Sequence, residues 1–155
     1  MPRVSRSRVI GAAVERTWEL VSDPHHLARW WPLAQRVEDV HREEDILQWT
    51  LALRSDRGTQ VRADYSGAVE EEGRRFAWTQ QVAGTPFERI LKSARVEIDV
   101  SAAGGSEAES LVTLRAEERL RGLSRLGSPM MRTAAGRRLD EALENLDRAL
   151  VGGAG

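Results

Sequence analysis

Between Ser128 and Leu150 the chain places apolar residues at Met131, Ala135, Leu139, Ala142, Leu143, Leu146 and Leu150. Those spacings keep them on one face of a helix with a period of about 3.6 residues. Arg137, Arg138, Asp140, Glu141, Glu144, Asp147 and Arg148 take the other face, and Glu144 with Arg148 makes a favourable acid-before-base pair one turn apart. Ser128 suits the N-cap, Pro129 the first helical position, where its missing N–H has no partner to lose, and Gly152 and Gly153 end the run. At a rise of about 1.5 Å per residue the helix is roughly 33 Å long. A helix with one apolar stripe of that length needs an equally long apolar surface to lie on.

The preceding residues supply that surface as strands. Residues 3–10 partly alternate and end in β-branched residues, which predicts a first strand closed by Gly11. Ala12–Ser22 changes to helical spacing, with Val14, Trp18 and Val21 on one side, until Asp23-Pro24 breaks it. A second short helix, His25–Trp31, carries Leu27, Trp30 and Trp31 and stops at Pro32. Two adjacent tryptophans cannot both point inward from so short a helix, so one is expected at a rim or against the loops. From Arg36 the period becomes two. Strands are predicted around Val37–Val40, Gln48–Arg54, Val61–Val69, Phe76–Val82, Ile90–Val100 and Leu111–Glu118, separated by polar or glycine-rich turns. Connections this short join antiparallel neighbours, because a parallel crossover needs about a dozen residues or more. The expected architecture is α+β: a seven-stranded curved antiparallel sheet around a long C-terminal helix, with two short helices after the first strand.

The element order, the opening Val9-Ile-Gly-Ala-Ala-Val-Glu-Arg-Thr-Trp-Glu-Leu-Val-Ser-Asp-Pro24, the following Leu27-Ala-Arg-Trp-Trp-Pro32 and the leucine-rich terminal helix together carry a resemblance. The chain resembles the START or Bet v 1-like (SRPBCC) superfamily, and within it the polyketide cyclase/dehydrase and lipid-transport group, from about Arg3 to Leu150. Ala13 stands where that group usually has proline before the first helix. The resemblance implies a helix-grip fold with an apolar cavity between sheet and terminal helix. It brings no shared catalytic signature, since its members range from lipid and hormone carriers and ubiquinone-binding proteins to aromatase/cyclases and partner-binding proteins.

Composition narrows the function classes. A chain of 155 residues can bury about 68–70% of its unfolded surface, so it is read as one domain over residues 1–155, with 151–155 as a flexible tail. With no cysteine, disulfides, thiolate nucleophiles and cysteine metal sites are excluded, which fits a reducing, cytoplasmic setting. The 23 basic and 24 acidic side chains are interspersed and give a formal charge of −1. Nothing in that balance favours nucleic acid or an anionic membrane. The opening residues lead into no apolar run long enough for a signal peptide or membrane span, so no integral membrane association is expected. A homodimer stays open.

Residues that could carry chemistry fall on the presumed inner face. Trp49, Tyr65, Trp78 and Phe87 are candidates for cavity walls or for ordinary core, and Tyr65 and Gln80 could orient a ligand. Leu51, Val96, Ile98, Ala135 and Trp30 complete the expected lining, and Met130 and Met131 would add adaptable thioethers at the start of the long helix. No catalytic residue is assigned; Tyr65 is the one attractive general acid. His25, His26 and His41 lack metal-binding spacing, no Gly-x-Ser-x-Gly elbow is present, and the glycine-rich stretches lack a phosphate loop's lysine and context, so no metal or cofactor is expected. Arg54, Arg62, Asp64, Arg95, Glu97 and Arg115 alternate with the inward series and read as a solvated outer face of cross-strand ion pairs. An inward charge near Tyr65 would point to proton transfer.

Three functions compete. The first is binding of a small hydrophobic or amphipathic ligand, such as a lipid, polyketide or quinone-like molecule, between sheet and helix. The second is a polyketide cyclase/aromatase-type enzyme working by positioning and acid/base catalysis. The third is a partner-binding module with a filled cavity and an exposed Trp30 or Trp31.

Overall fold

A computed structural model of the chain describes residues 3–55, 57–122 and 128–152, with the side chain of Ser128 outside that set. The proposed Ser128 cap, the Gly153 stop and residues 153–155 of the expected tail therefore lie outside the described residues, whereas Val151 and Gly152, assigned to that tail, continue the terminal helix as part of its last turn. Strand β1 (Arg3–Ile10) leads into helix α1 (Val14–Val21), a 3₁₀ turn (Pro24–His26) and helix α2 (Leu27–Trp30). Six strands follow: β2 (Ala34–Glu43), β3 (Ile46–Arg54), β4 (Gln60–Glu71), β5 (Arg75–Gln80), β6 (Leu91–Ala103) and β7 (Ser106–Leu120). A 3₁₀ turn, Pro86–Arg89, sits between β5 and β6, and helix α3 (Ser128–Asp147) ends in a π-helical turn, Arg148–Gly152.

The strands form one curved antiparallel sheet in the order β1-β7-β6-β5-β4-β3-β2. Each neighbour but one follows in sequence, as short hairpin loops require; β1 closes the far edge by pairing with β7 from Arg3↔Glu117 to Ile10↔Ser110. The period-two pattern then decides which face is covered. Phe76, Ile98, Val100, Val112 and Leu114 are buried on the inner face beneath Leu139, Leu143, Leu146 and Leu150 of the terminal helix and its π turn. Each such side chain contributes about 1.5–3 kcal/mol by leaving water.

Where the chain departs from the sequence reading, local geometry explains it. Strand β7 starts at Ser106 rather than near Leu111, because the tight turn at Gly104 and Gly105, with φ of 59° and 77°, lets pairing begin at once. Strand β2 runs through His41 to Glu43 past a bulge around Asp39, whose φ is 52°. Trp30 and Trp31 are both buried, Trp31 where the chain turns into the loop before β2. Trp31 has left the helix, with φ −78° and ψ 126°, so the rotation that would have turned it outward never applies. Arg148 hydrogen-bonds Asn145, and among the described residues it makes no ion pair with Glu144. The π turn beginning at Arg148 changes the rotation that an α-helical spacing assumes.

The start of the chain is tied to its end. Asn145 Nδ2 donates to the Trp30 carbonyl at 3.1 Å, and Arg8 grips Asp147 at 2.7 Å. Ser110, fully buried on β7, donates to the Ala12 carbonyl at 2.7 Å and pairs with the Thr17 hydroxyl at 2.9 Å, which seats α1 on the sheet. On the outer face Glu97 meets Arg115 at 2.8 Å, Arg95 meets Glu70 at 2.9 Å and Arg62 meets Glu38 at 2.8 Å. Glu97 and Arg115 are a cross-strand pair of the kind the alternation predicts, while Arg95 and Arg62 reach over an intervening strand to acids the sequence reading did not name.

Candidate functional site

The two halves of α3 meet different surroundings. Ala142, Leu143 and Leu146 sink into packed core, whereas Met131, Ala135, Arg138 and Leu139 cover an opening of about 360 Å³ between helix and sheet. Small-molecule pockets run from about 300 to 1,000 Å³, so this space suits a compact ligand. Its sheet side comes from β3 to β7, through residues such as Leu53, Val61, Tyr65, Trp78, Gln80, Val96 and Ala116. Its border includes Trp31-Pro32-Leu33 together with Phe87, Ile90 and Leu91, among which Leu33 and Ile90 are about half exposed.

Of the residues read from the sequence as lining, Tyr65, Trp78, Gln80, Phe87, Val96, Met131 and Ala135 stand in this wall. Trp30, Trp49, Leu51 and Ile98 are buried in the packed core and do not reach it. Trp49 shows why. Its ring leans along the sheet over Gly67, stacked on Tyr65 at 6.0 Å and Phe76 at 6.3 Å, and is spent on those neighbours. Met130 is 79% exposed, since one step along a helix turns a side chain by about 100° from Met131, which does face the cavity. Trp31 lines the cavity where Trp30 was expected, packed edge-on against Trp78 at 5.2 Å.

Four charged residues stand in the wall: Arg54 and Arg95, which the alternation assigned to the outer face, Arg138, which the sequence reading put on the charged face of the terminal helix, and Glu118, which it did not name as lining. Arg138 Nη1 lies 3.3 Å from Glu118 Oε1, and the Glu118 side chain is only 15% exposed. Both had a signal. Glu118 continues the inward series Val112, Leu114, Ala116, and Arg138 falls three residues after Ala135 on the apolar stripe.

Register brings the polar residues into one row across the concave face. Tyr65 pairs with Gln80, Thr79 pairs with Arg95 so that Gln80 falls beside Ala94, and Ala94 pairs with Glu118. The small Ala94 leaves room between Gln80 and Glu118, and Arg138 reaches down from the helix. Burial pushes the Tyr65 phenol up to about 12, with the Arg138 charge pulling it down and the Glu118 charge pushing it up. At neutral pH it is therefore a hydrogen-bond donor and holds its proton. Gln80 Nε2 is buried without a partner among the described residues.

The histidines lie outside this wall. His25 faces Asp23 at 2.7 Å, and His41 sits between the Asp39 carbonyl and Gln48, which raise its pKa. Among the described residues no group of three or more His, Asp or Glu side chains is arranged to hold a metal ion, and no helix is long and apolar enough to cross a membrane.

Comparison with known proteins places this geometry in context. The family model described as polyketide cyclase/dehydrase and lipid transport matches residues 1–151. A protein of Thermus thermophilus shares 17% identity and superposes with a TM-score of 0.77, over 99% of this chain and 100% of that one. A START superfamily protein from Mycobacterium smegmatis gives 17% identity and a TM-score of 0.74, covering 96% of each chain. The Zhui aromatase/cyclase from Streptomyces sp. R1128 gives 15% and 0.74, over 99% of this chain and 98% of that one. At such identities the likeness is one of fold. No curated protein matches in sequence.

Proposed function

The chain belongs to the polyketide cyclase/dehydrase and lipid transport family, and from that membership we propose that it binds a small hydrophobic or amphipathic molecule between sheet and helix α3. The opening of about 360 Å³ walled by Trp31, Trp78, Phe87, Met131 and Leu139 carries this reading. Apolar walls that touch no protein atom on one side forgo packing energy, and an apolar ligand restores it. Candidate contact residues are those in the wall: Tyr65, Trp78, Gln80, Phe87, Val96, Met131 and Ala135, together with Trp31, Glu118 and Arg138.

Native mass spectrometry of freshly purified protein, repeated after denaturation, tests the proposal. A noncovalent mass lost on denaturation identifies the ligand class. A clean apo mass, together with unchanged tryptophan emission across lipids, quinones and aromatic polyketides, would sink it.

A cyclase-type activity is the second reading, favoured by one observation: Glu118, an ionisable group of the kind acid/base catalysis uses, stands in the cavity wall. Tyr65 fits a catalytic acid less well, because a phenol near 12 gives up its proton reluctantly at neutral pH. Turnover of a poly-β-ketone that survives Glu118→Gln unchanged would exclude this role. Partner binding through Trp30 or Trp31 loses its motive, since both rings are buried.

A further inference from the structure

The cavity has a polar row on one side, and its charge state discriminates between ligand classes. Tyr65, Gln80 and Glu118 line the same step of the sheet, and Arg138 descends on Glu118 from the helix. Glu118 and Arg138 neutralise each other. Among the described residues the Tyr65 hydroxyl has no hydrogen bond, and Gln80 Nε2, which has no partner either, is closed off from the open space by its neighbours. Unpaired polar groups beside an apolar space are costly, and the cost is relieved by a ligand atom that completes them. Two further arginines border the cavity without altering the balance inside. Arg95 is committed to Glu70 at 2.9 Å and lies near Glu97, while Arg54 is exposed at the rim, where salt screens it.

Resting on the cavity-binding reading above, we infer that the bound molecule presents a neutral carbonyl or hydroxyl oxygen to the Tyr65 hydroxyl, and that carboxylate-headed molecules are selected against. A carboxylate entering this row finds Arg138 already neutralised, so it either stays unpaired or competes with Glu118 for one guanidinium. A ketone oxygen accepts from the phenol without bringing a charge out of water. The resistance of the Tyr65 phenol to ionisation points the same way, because burial disfavours negative charge at that position.

Three naphthalenes of nearly equal size separate the possibilities: 2-acetylnaphthalene, 2-naphthoate and 2-ethylnaphthalene, measured by equilibrium dialysis against the full chain. The ketone is expected to bind about tenfold more tightly than either the carboxylate or the hydrocarbon. Tyr65→Phe, which keeps the ring, brings the ketone close to the hydrocarbon. Glu118→Gln, which frees Arg138, raises naphthoate affinity about tenfold and leaves the ketone little changed. Naphthoate binding as tightly as the ketone to the unaltered protein overturns the inference, as does a Glu118→Gln variant of native circular dichroism with unchanged preference. Equal affinity for ketone and hydrocarbon overturns it too, while leaving the cavity reading intact. Failure of all three to bind removes both.

Discussion

Replacing Gly67 with alanine tests the packing that supports the cavity floor. A Cβ at Gly67 would lie 2.7 Å and 2.9 Å from Cη2 and Cζ3 of Trp49 and 3.0 Å from Cζ of Phe76. The glycine's φ is not positive, so alanine is strained only by those neighbours. In most strands the substitution stabilises, by about 0.5–1 kcal/mol, because glycine loses more freedom on folding. Here the overpacking costs about 1–3 kcal/mol, since Trp49 is 2% exposed and confined between Tyr65 and Phe76. The net expectation is a loss of about 1–2 kcal/mol, or about 2–8 °C in Tm for a chain of this size. Thermal unfolding followed by circular dichroism measures it. Trp49→Phe removes both indole atoms that clash, so in that background Gly67→Ala is expected to be neutral or stabilising. A Tm for Gly67→Ala equal to or above that of the unaltered protein would refute the reasoning. An equal penalty in both backgrounds would show that the clash is not with Trp49.

Three other outcomes follow from features of the fold. Tyr65 is the only tyrosine, so tyrosinate absorbance reports it alone, and its midpoint is expected near 12 instead of 10.0. A folded pKa above the unfolded one favours the native state fully below pH 10, and about 3 kcal/mol of that is lost as pH rises toward 12; a midpoint at 10 in folded protein would contradict the burial. Ser110→Ala leaves the Ala12 carbonyl and the Thr17 hydroxyl short of a partner in the interior, for an expected loss of about 1–3 kcal/mol in urea unfolding. Asp99, with a side chain 12% exposed, faces Arg75 at 3.0 Å and Arg74 at 3.5 Å, whose own side chains are 35% and 52% exposed, so Asp99→Asn is expected to lower Tm by an amount that shrinks as salt is added; a loss independent of salt would contradict this.

Most of the architecture was legible because two periods dominate the sequence. Alternation in β3 to β7 marks the inner face, and the stripe from Met131 to Leu150 marks the helix that covers it. The cavity was less legible, since periodicity tells which side a residue faces but not whether an atom lies beyond it. Trp49 and Trp78 both point inward, yet Trp49 fills its own space over Gly67 while Trp78 borders the opening. Trp31 depended on a single backbone angle pair after a one-turn helix. Glu118 and Arg138 had the right spacing, but charge suggested solvent, and only their juxtaposition across sheet and helix makes an inward position tolerable.

The terminal helix divides its work along its length. From Ala142 onward it is locked to the sheet, to α2 through Asn145 and to β1 through Arg8 and Asp147. Before Leu139 it roofs the cavity with Met131, Ala135 and Arg138. The residues that border the opening and the residues that anchor the helix are thus neighbours in sequence but meet different surroundings. Substitutions at positions 131, 135 and 138 reshape the opening while the anchoring half goes on gripping, so the contour of the cavity can change without the core being rebuilt.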